Sequence, residues 1–336
     1  MRGDSDLPPH AVHSALGFRR EFSVFDRVTI VGVGLLGASL GLALKEHGLA
    51  RRIVGVGRRG SASLDIALNR GAIDEASHEV SAVVKGSDLV VLCTPIRQFP
   101  GMLKDLASVL SHGIITDVGS TKAEVMKWAA EILPVDGPVF IGSHPMAGSE
   151  KRGPDHARSD LYRDSLCFLC TDSGFAGRGA ATPAAASPPP TPAMDRTLVA
   201  LEKVQNLWRM LGMRTLWIPA LEHDRWVATI SHLPHAVAFA LVNAAAREPA
   251  MLQAVAGGFI DTTRVASSDT EMWTDIFLTN RDAIVQAIDT FSADLAGLKQ
   301  AIATGDVPAI RAVLAAARKT RDELVEQRRR GNRGGE

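Results

Sequence analysis

The sequence predicts an α/β protein in which a largely parallel sheet covered by helices is followed by a helical region. From residue 28 to 170, apolar strand-like runs alternate with helical patterns. Near-continuous apolar runs are typical of strands that are buried on both faces of a sheet. A glycine-rich turn joins the first run to a helix, and after residue 220 the pattern is helical almost to the end.

The first run ends in a glycine fingerprint. Gly32, Gly34 and Gly37 form G-x-G-x-x-G between the strand-like residues 28–33 and an apolar helix. The first glycine permits a tight turn, the second lets a pyrophosphate approach the backbone, and the third lets helix and strand pack closely. Free N–H groups at the helix start favour phosphate binding. This pattern predicts a Rossmann-type dinucleotide-binding domain; the alternative is a structural glycine turn in another α/β domain.

Further strands follow the fingerprint, and a segment without core residues interrupts them. Alanine, proline and glycine dominate residues 173–194, which we interpret as a mobile surface insertion. The predicted strands are VTIVGV, RRIVGV, DLVVLCTP, GIITDVG, PVFIGSH, SLCFLCT and TLWIP. We therefore predict a flexible N-terminal arm over residues 1–24, the dinucleotide-binding domain over 25–219, and an all-α substrate-binding and dimerisation domain over 220–330.

Three helical segments are predicted in the second domain. The first covers residues 220–247 and is interrupted at Pro234, and the others cover 270–304 and 307–329. Helices this rich in alanine and leucine bury more surface than one subunit offers, so we expect a homodimer.

The end of the second strand favours NADP over NAD. NAD-binding units usually carry an acid there that holds the ribose 2′-OH, whereas this chain has Gly57 followed by Arg58 and Arg59. An arginine pairs with a 2′-phosphate through charge-assisted hydrogen bonds. The alternatives are that the arginines solvate a loop, or that one stacks on adenine. The predicted cofactor-binding residues are Gly32, Gly34, Leu35, Leu36, Gly37, Arg58, Arg59, Thr94 and Pro95.

Two polar clusters follow predicted strands. In ITDVGSTK, Ser120 stands after a strand, where open α/β sheets bind ligands; alternatively Ser120 or Thr121 only caps a helix. In FIGSHPMAGSEKRG, His144 follows another strand and could accept a hydroxyl proton near neutral pH, although a lone histidine is more often structural. Ser149 and Glu150 lie within reach in sequence.

A third cluster lies in the helical region. His232 and His235 flank Pro234, but no carboxylate sits at a spacing that would complete a metal site, and we predict no metal. Arg264 is the one arginine in a run of small and apolar residues. It either pairs with an acid such as Asp261 or binds an anionic ligand. Trp273, nine residues further on, could form an apolar wall.

Composition narrows the class of protein. The chain has 37 Lys plus Arg and 37 Asp plus Glu, so no net charge indicates nucleic acid or a membrane surface as a partner. Its three cysteines show no zinc-binding spacing and suit a reducing cytoplasm. We expect no apolar run of membrane-spanning length.

The motifs GVGLLGASL, DVGSTK, GSHPMAGSE and SHLPHAVAFAL, and the stretch D-x-x-R…S-D-x-x-M-W-x-D-I-F-x-x-N, occur together in this order. In this the chain resembles prephenate dehydrogenase, of the family that includes arogenate and cyclohexadienyl dehydrogenases. Such enzymes oxidise a cyclohexadienol while a ring carboxylate leaves as carbon dioxide. Prephenate then gives 4-hydroxyphenylpyruvate, a precursor of tyrosine. The resemblance covers about residues 28–300 apart from the insertion.

The resemblance also implies roles for site residues. His144 would bond the ring hydroxyl with Ser120 beside it, and Arg264 would bind a substrate carboxylate. His235 would stand near the substrate, and Trp273 and Asp261 would support the pocket. With Ser149 and Glu150 added, these are the predicted catalytic and substrate-binding residues. The family also forms homodimers through its helical domains.

Three other functions compete with this one, and the residues argue against two of them. Arogenate differs from prephenate only in an amino acid side chain in place of the keto acid, and the residues do not decide between them. A β-hydroxyacid dehydrogenase would need a lysine in the interdomain helix, and residues 220–247 contain none. A non-catalytic NADP-binding sensor would not need His144, Ser120 and Arg264 together.

Overall fold

The structure is a computed structural model that describes residues 25–148, 151–170 and 192–333. The predicted arm over residues 1–24 and most of the predicted insertion over 173–194 lie outside the described residues. The last three residues assigned to the insertion do not belong to it, because a helix begins at Pro192.

The described residues form one eight-stranded sheet with the strand order β3-β2-β1-β4-β5-β6-β7-β8. Neighbouring strands are parallel except β6 and β7, which are antiparallel. The strand bounds are β1 Phe25–Val31, β2 Ala50–Val56, β3 Glu75–Ser77, β4 Leu89–Leu92, β5 Ile114–Asp117, β6 Val139–Pro145, β7 Leu166–Cys170 and β8 Arg214–Trp217. The order reverses at β1, whose neighbours are β2 and β4, so the crevice that binds ligands in such sheets opens between β1 and β4.

Helices cover the sheet and form the C-terminal region. The α-helices are α1 Leu35–Glu46, α2 Ser63–Asn69, α3 Val80–Val83, α4 Phe99–Val109, α5 Ala123–Ile132, α6 Pro192–Met210, α7 Ala220–Val227, α8 Leu233–Ala245, α9 Gly257–Thr263, α10 Thr270–Thr279, α11 Arg281–Thr304 and α12 Val307–Arg333. Short 3₁₀ segments occupy Ile96–Gln98, Pro154–His156, Pro249–Ala254 and Arg264–Ser267. The predicted fold class, a nucleotide-binding sheet domain followed by a helical domain, is confirmed.

The sheet is buried on both faces, which accounts for its apolar strand sequences. On one face Ile30 packs in a cluster with Leu40 of α1 and Trp208 of α6. On the other face Val31 packs in a second cluster with Phe99 of α4. Successive residues of a strand point to opposite faces, so both must be apolar.

Four details differ from the sequence-based prediction. The strand β3 was missed because its three residues, Glu-Ala-Ser, carry no apolar signal. The helix α6 was also missed, since it follows the low-complexity segment directly. The predicted helix over 220–247 changes to a π-helical turn at Ala228–His232, before Pro234 rather than at it. The predicted helix over 270–304 breaks at Asn280, between α10 and α11.

The expectation that no apolar run reaches membrane-spanning length is wrong. By length and composition alone, Ala220–Ala245 could cross a membrane, with a mean hydropathy of 1.3. Core helices of soluble proteins meet the same criterion. In this segment His223 and Asp224 are buried, and they are hydrogen-bonded to His144 of β6 and to Lys122, which follows β5, so its first turns pack on protein.

Candidate active site

The glycine fingerprint forms a cradle at the crevice between β1 and β4. Gly32 has a φ of +96°, and a side chain there would place its Cβ 2.7 Å from the carbonyl carbon of Cys93. A Cβ on Gly37 would lie 2.2 Å from the carbonyl oxygen of Gly32. In contrast, a Cβ on Gly34 would meet nothing within 4 Å. The first and third glycines are therefore required by packing, while the second borders open space.

The cradle suits a dinucleotide. The helix α1 begins after Gly34 with no side-chain cap and no acidic residue in its first turn. Its first N–H groups, which include those of Leu35 and Leu36, are thus available to an anion. At the end of β4, the buried Thr94 Oγ1 has no hydrogen-bond partner among the described residues, and Pro95 follows it. An unpaired buried hydroxyl beside a glycine cradle is the donor that a bound ligand would satisfy.

The loop after β2 brings arginines to the sheet edge. The backbone N–H of Gly57 donates a hydrogen bond to the carbonyl oxygen of Ser77 at 3.0 Å. Both arginines that follow are exposed. Arg59 pairs with Glu79 at 2.7 Å, whereas Arg58 has no ion pair with any described residue. The two arginines are therefore not equivalent, since only Arg59 is engaged in an ion pair with a described residue.

His144 lies within β6, one residue before its end, and its side chain is buried with 8% exposed. Its Nδ1 lies 2.9 Å from Nε2 of His223, and Nδ1 of His223 lies 2.7 Å from Oδ1 of Asp224. The same carboxylate accepts the backbone N–H groups of Lys122 at 2.7 Å and Ala123 at 2.9 Å. Asp224 therefore caps α5 and ends a hydrogen-bonded chain that begins at His144.

Burial keeps both histidines of this hydrogen-bonded series, His144 and His223, neutral. It lowers the pKa of His144 well below 6.5, and the neighbouring His223 and Lys122 lower it further. Burial also lowers the pKa of His223, although the Asp224 carboxylate opposes that shift. A neutral imidazole can accept a proton, so His144 is suited to act as a base at neutral pH.

A buried ion pair lies at the end of β5 and is hydrogen-bonded to β6. Lys122 Nζ donates to Asp117 Oδ2 at 2.6 Å and to the carbonyls of Gly119 and Thr121 at 2.8 Å each, with both charged side chains fully buried. Asp117 Oδ1 accepts the N–H of Ser143, the neighbour of His144. Burial raises the pKa of Asp117 and the Lys122 charge opposes this. The pair fixes the loop after β5 against the strand that carries His144.

Ser120 lies in this loop, at the same sheet edge as His144. Its hydroxyl makes no hydrogen bond with the described residues. The alternative that Ser120 or Thr121 caps the following helix is wrong, because Asp224 supplies that cap and Thr121 bonds Thr279 at 2.9 Å.

A second cluster lies in the helical region. The imidazole of His235 stacks on Trp273, with ring centroids 3.8 Å apart and planes at 24°. His235 Nδ1 lies 2.9 Å from the carbonyl of Ser231, so it donates there and leaves Nε2 as an acceptor. Burial lowers the pKa of His235, and the positive charge of Arg264 contributes to this. The structure thus brings His235, Trp273 and Arg264 together.

Arg264 begins a 3₁₀ turn and its side chain is exposed. The alternative that Arg264 pairs with Asp261 is wrong, since the two form no ion pair in the described part of the chain. Asp261 is exposed on α9, without a hydrogen bond or ion pair to the described residues. The predicted residues Ser149 and Glu150 lie outside the described residues.

Sequence reasoning missed His223, Asp224 and Asn280. The Asn280 amide donates to the carbonyl of Asp224 at 2.8 Å and to His232 Nδ1 at 3.1 Å. Burial lowers the pKa of His232 to about 4. The available signal was the adjacent pair of ionisable residues, His223 and Asp224, at the start of an apolar helix. Among the described residues, no group of three or more His, Cys, Asp or Glu is arranged to hold a metal ion.

Two family models match the chain. The nucleotide-binding domain of prephenate dehydrogenase matches residues 40–176, and the dimerization domain of prephenate dehydrogenase matches residues 219–316. Together they span more than half of the chain.

Individual relatives agree with these models. The chain is 32% identical to prephenate dehydrogenase of Bacillus subtilis over 305 residues, which is 89% of this chain and 76% of that protein. It is also 32% identical to cyclohexadienyl dehydrogenase of Zymomonas mobilis, over 84% of this chain and 91% of that protein. A crystal structure of prephenate dehydrogenase from Aquifex aeolicus, in complex with hydroxyphenyl propionate and NAD⁺, superposes with a TM-score of 0.77 and 31% identity. The match covers 89% of this chain and 98% of that one.

Proposed function

The chain belongs to the prephenate dehydrogenase family, a family of nicotinamide-dependent oxidoreductases, and on that premise we propose that it converts prephenate to 4-hydroxyphenylpyruvate and carbon dioxide. The observation that carries the proposal is His144. It is a buried, neutral imidazole held by hydrogen bonds at the carboxyl edge of the sheet that also carries the glycine cradle. Open α/β sheets place their reactions at this edge.

In this proposal His144 takes up the proton of the substrate's ring hydroxyl and later returns it. His144 accepts the proton of the ring hydroxyl as the C4–O bond becomes a carbonyl. Loss of the ring carboxylate as carbon dioxide leaves its electron pair in the ring, which becomes aromatic, and His144 returns the proton to the phenolate oxygen. We assign to Ser120, on the loop that follows β5, a hydrogen bond to the same oxygen. Positioned acid–base groups of this kind contribute typically 10²- to 10⁴-fold to a rate.

In this proposal the fingerprint residues would hold the cofactor. The backbone around Gly34, with Leu35, Leu36 and Gly37, would bind the pyrophosphate, and Thr94 and Pro95 border the crevice at the end of β4. A bound nicotinamide dinucleotide would accept the hydride that leaves C4 of the substrate.

The substrate anion is held from the helical region. Arg264 is exposed and carries no ion pair with the described residues, next to the stacked pair of His235 and Trp273. A guanidinium binds a carboxylate through two parallel charge-assisted hydrogen bonds, and an aromatic wall packs against a ring. We assign to Arg264 a substrate carboxylate. Asp261, Ser149 and Glu150 stay predicted members of this pocket.

We further propose that NADP is preferred over NAD. Gly57 offers no acceptor to a 2′-OH, and Arg58 is exposed beside it without an ion pair in the described chain. Replacing Arg58 by alanine is expected to lower kcat/KM with NADP⁺ by roughly 5- to 30-fold, about 1–2 kcal/mol for an exposed charge-assisted contact. Steady-state kinetics with both cofactors measures the change, and the values with NAD⁺ should stay the same.

The matched control for the cofactor test is Arg59→Ala. Because Arg59 already pairs with Glu79, its removal should change the ratio of the two cofactors by much less. Equal losses with NADP⁺ and NAD⁺ in Arg58→Ala would show that Arg58 does not contact a 2′-phosphate. A wild-type enzyme that prefers NAD⁺ would contradict the proposal as a whole.

We also propose that the chain is a homodimer joined through its helical region. Within α8, an apolar helix, Ala238 is the one buried residue and Leu241 is exposed, so part of its apolar surface lacks cover from this chain. A helix that is apolar all round is normally buried. Large apolar side chains that are exposed in the same region include Ile230, Leu241, Ile260, Leu278, Val285 and Leu295. The matched family model is a dimerization domain.

Light scattering of the purified chain is expected to give twice its mass of 35.8 kDa. Leu241→Glu, on α8, should shift the mass towards the monomer at micromolar concentration, because a buried unpaired charge costs several kcal/mol. Leu68→Glu, a comparably exposed position on α2 in the sheet domain, is the control and should leave the mass unchanged. A monomeric wild-type chain would contradict the proposal.

The substrate is tested directly by assaying the purified protein with prephenate and with arogenate, each with NADP⁺ and NAD⁺. Absorbance of the reduced cofactor gives the rates, and chromatography separates 4-hydroxyphenylpyruvate from tyrosine. Turnover of prephenate with release of 4-hydroxyphenylpyruvate supports the proposal. Turnover of arogenate alone would assign the chain to arogenate dehydrogenase, the second candidate, and turnover of both would match the cyclohexadienyl dehydrogenase among its relatives.

A further inference from the structure

We propose that His223 and Asp224 are positioning residues that fix His144 in the tautomer with the proton on Nδ1, which leaves Nε2 as the proton acceptor. The role of that acceptor in catalysis rests on the proposed function, but the tautomer does not.

The series of hydrogen bonds from His144 ends at the carboxylate of Asp224, a group that can only accept. Asp224 receives the backbone N–H groups of Lys122 and Ala123, at 2.7 and 2.9 Å, one on each carboxylate oxygen. An ionised carboxylate accepts hydrogen bonds and donates none. His223 Nδ1, 2.7 Å from Oδ1, therefore carries a hydrogen that it donates to Asp224.

The tautomer of His223 then determines that of His144. A neutral imidazole has one N–H, so a proton on Nδ1 of His223 leaves its Nε2 with a free lone pair. His144 Nδ1 lies 2.9 Å from that lone pair and must carry the donor hydrogen. Since the His144 ring is neutral as well, its Nε2 is unprotonated. If His223 were protonated on both nitrogens, its Nε2 would donate to Nδ1 of His144. The neutral His144 ring would then carry its hydrogen on Nε2, and that nitrogen could not accept a proton from the substrate.

The two positioning residues come from a different part of the fold than the base. His144 is on β6, whereas His223 and Asp224 are on α7, the first helix of the helical region. The helix α7 is held in place by Asp224, which caps α5, and by the Asn280 amide, which donates to the carbonyl of Asp224 at 2.8 Å. Seating of the helical region on the sheet therefore selects the competent tautomer of the base.

Two substitutions at His223 separate this role from packing. In His223→Asn, the side-chain amide reaches the position of Nδ1 and can still donate to Asp224, but nothing accepts from His144. In His223→Gln, the amide oxygen reaches the position of Nε2 and can accept from His144, while the bond to Asp224 is lost.

If His223 positions His144, His223→Asn should lower kcat by about 10- to 100-fold, and His223→Gln should lose clearly less. A purely structural role predicts the opposite order, because asparagine retains the bond that ties α7 to α5. Melting temperatures of both variants identify any loss that comes from unfolding.

The tautomer is measured without substrate or cofactor. In protein labelled with ¹⁵N-histidine, long-range ¹H–¹⁵N correlation spectra distinguish protonated from unprotonated ring nitrogens, and the His144→Asn spectrum identifies the His144 signals. We expect protonated Nδ1 and unprotonated Nε2 at His144 in the wild type and in His223→Gln, and a mixture of tautomers in His223→Asn.

A wild-type His144 protonated on Nε2 would overturn the inference, as would an unchanged tautomer in His223→Asn. If the asparagine variant does not fold, the wild-type and glutamine spectra still decide the outcome. A wild-type protein with the expected tautomer but no turnover of prephenate or arogenate would refute the proposed function alone.

Discussion

Replacing His144 by asparagine is expected to lower kcat by roughly 100- to 10,000-fold, the usual contribution of a general base. The asparagine side chain is similar in size to part of the imidazole but cannot accept the hydroxyl proton. The buried strand β6 and the pair of Asp117 and Lys122 should preserve the local fold. Initial rates at saturating prephenate and cofactor measure the effect.

The control for this variant is His112→Asn, which changes an exposed histidine and should retain full turnover. Cofactor affinity, measured by fluorescence titration, should be nearly the same in wild type and both variants, since the glycine cradle is untouched. Turnover of His144→Asn near the wild-type level would remove His144 from the mechanism.

The same base determines the acid side of the pH profile. Protonated His144 cannot accept a proton, and burial holds its pKa well below 6.5. As the pH falls, kcat/KM should therefore stay level through pH 6.5 and decline only at lower pH. A decline centred at pH 6.5 or above would contradict the environment that the structure gives to His144.

Replacing Arg264 by alanine is expected to raise the KM for prephenate by roughly 10- to 150-fold, equivalent to about 1.5–3 kcal/mol for a lost charge-assisted hydrogen bond. The guanidinium has no ion pair with the described residues, so its removal leaves no buried partner unsatisfied. For that reason kcat and the melting temperature should change much less than KM.

Two comparisons make the Arg264 result specific. Arg247→Ala removes another exposed arginine of the helical region and should leave KM unchanged. A substrate analogue that lacks the side-chain carboxylate tests which carboxylate Arg264 binds. If that one is the partner, the variant and the wild type should bind the analogue equally. An unchanged KM for prephenate in Arg264→Ala would show that Arg264 does not bind the substrate.

Local features of the sequence were sufficient for the fold class and for part of the site. The apolar alternation over residues 28–170 predicted the sheet, because burial on both faces demands it at every strand position. Gly32, Gly34 and Gly37 predicted the crevice, since a side chain on Gly32 or Gly37 would meet backbone atoms and the space beside Gly34 is open. His144 and Ser120 could be placed at one sheet edge because parallel strands end there together.

Other elements and contacts could not be predicted from the neighbouring residues in the sequence. The polar strand β3 and the π-helical turn at Ala228–His232 have no periodic signal of their own. Arg59 forms an ion pair with Glu79 and Arg58 forms none with the described residues, although the two arginines are adjacent and chemically identical.

By itself, the sequence determined the sheet, the glycine crevice and the residue types available at its edge, because strand burial and tight turns act over a few neighbouring residues. Only the tertiary structure decided what His144 can do. Its partner His223 lies 79 residues away, and Asp224 caps a helix that begins about 100 residues earlier in the chain. Hydrogen bonds at such separations depend on how the helical region packs on the sheet, and that packing determines which nitrogen of His144 carries the proton.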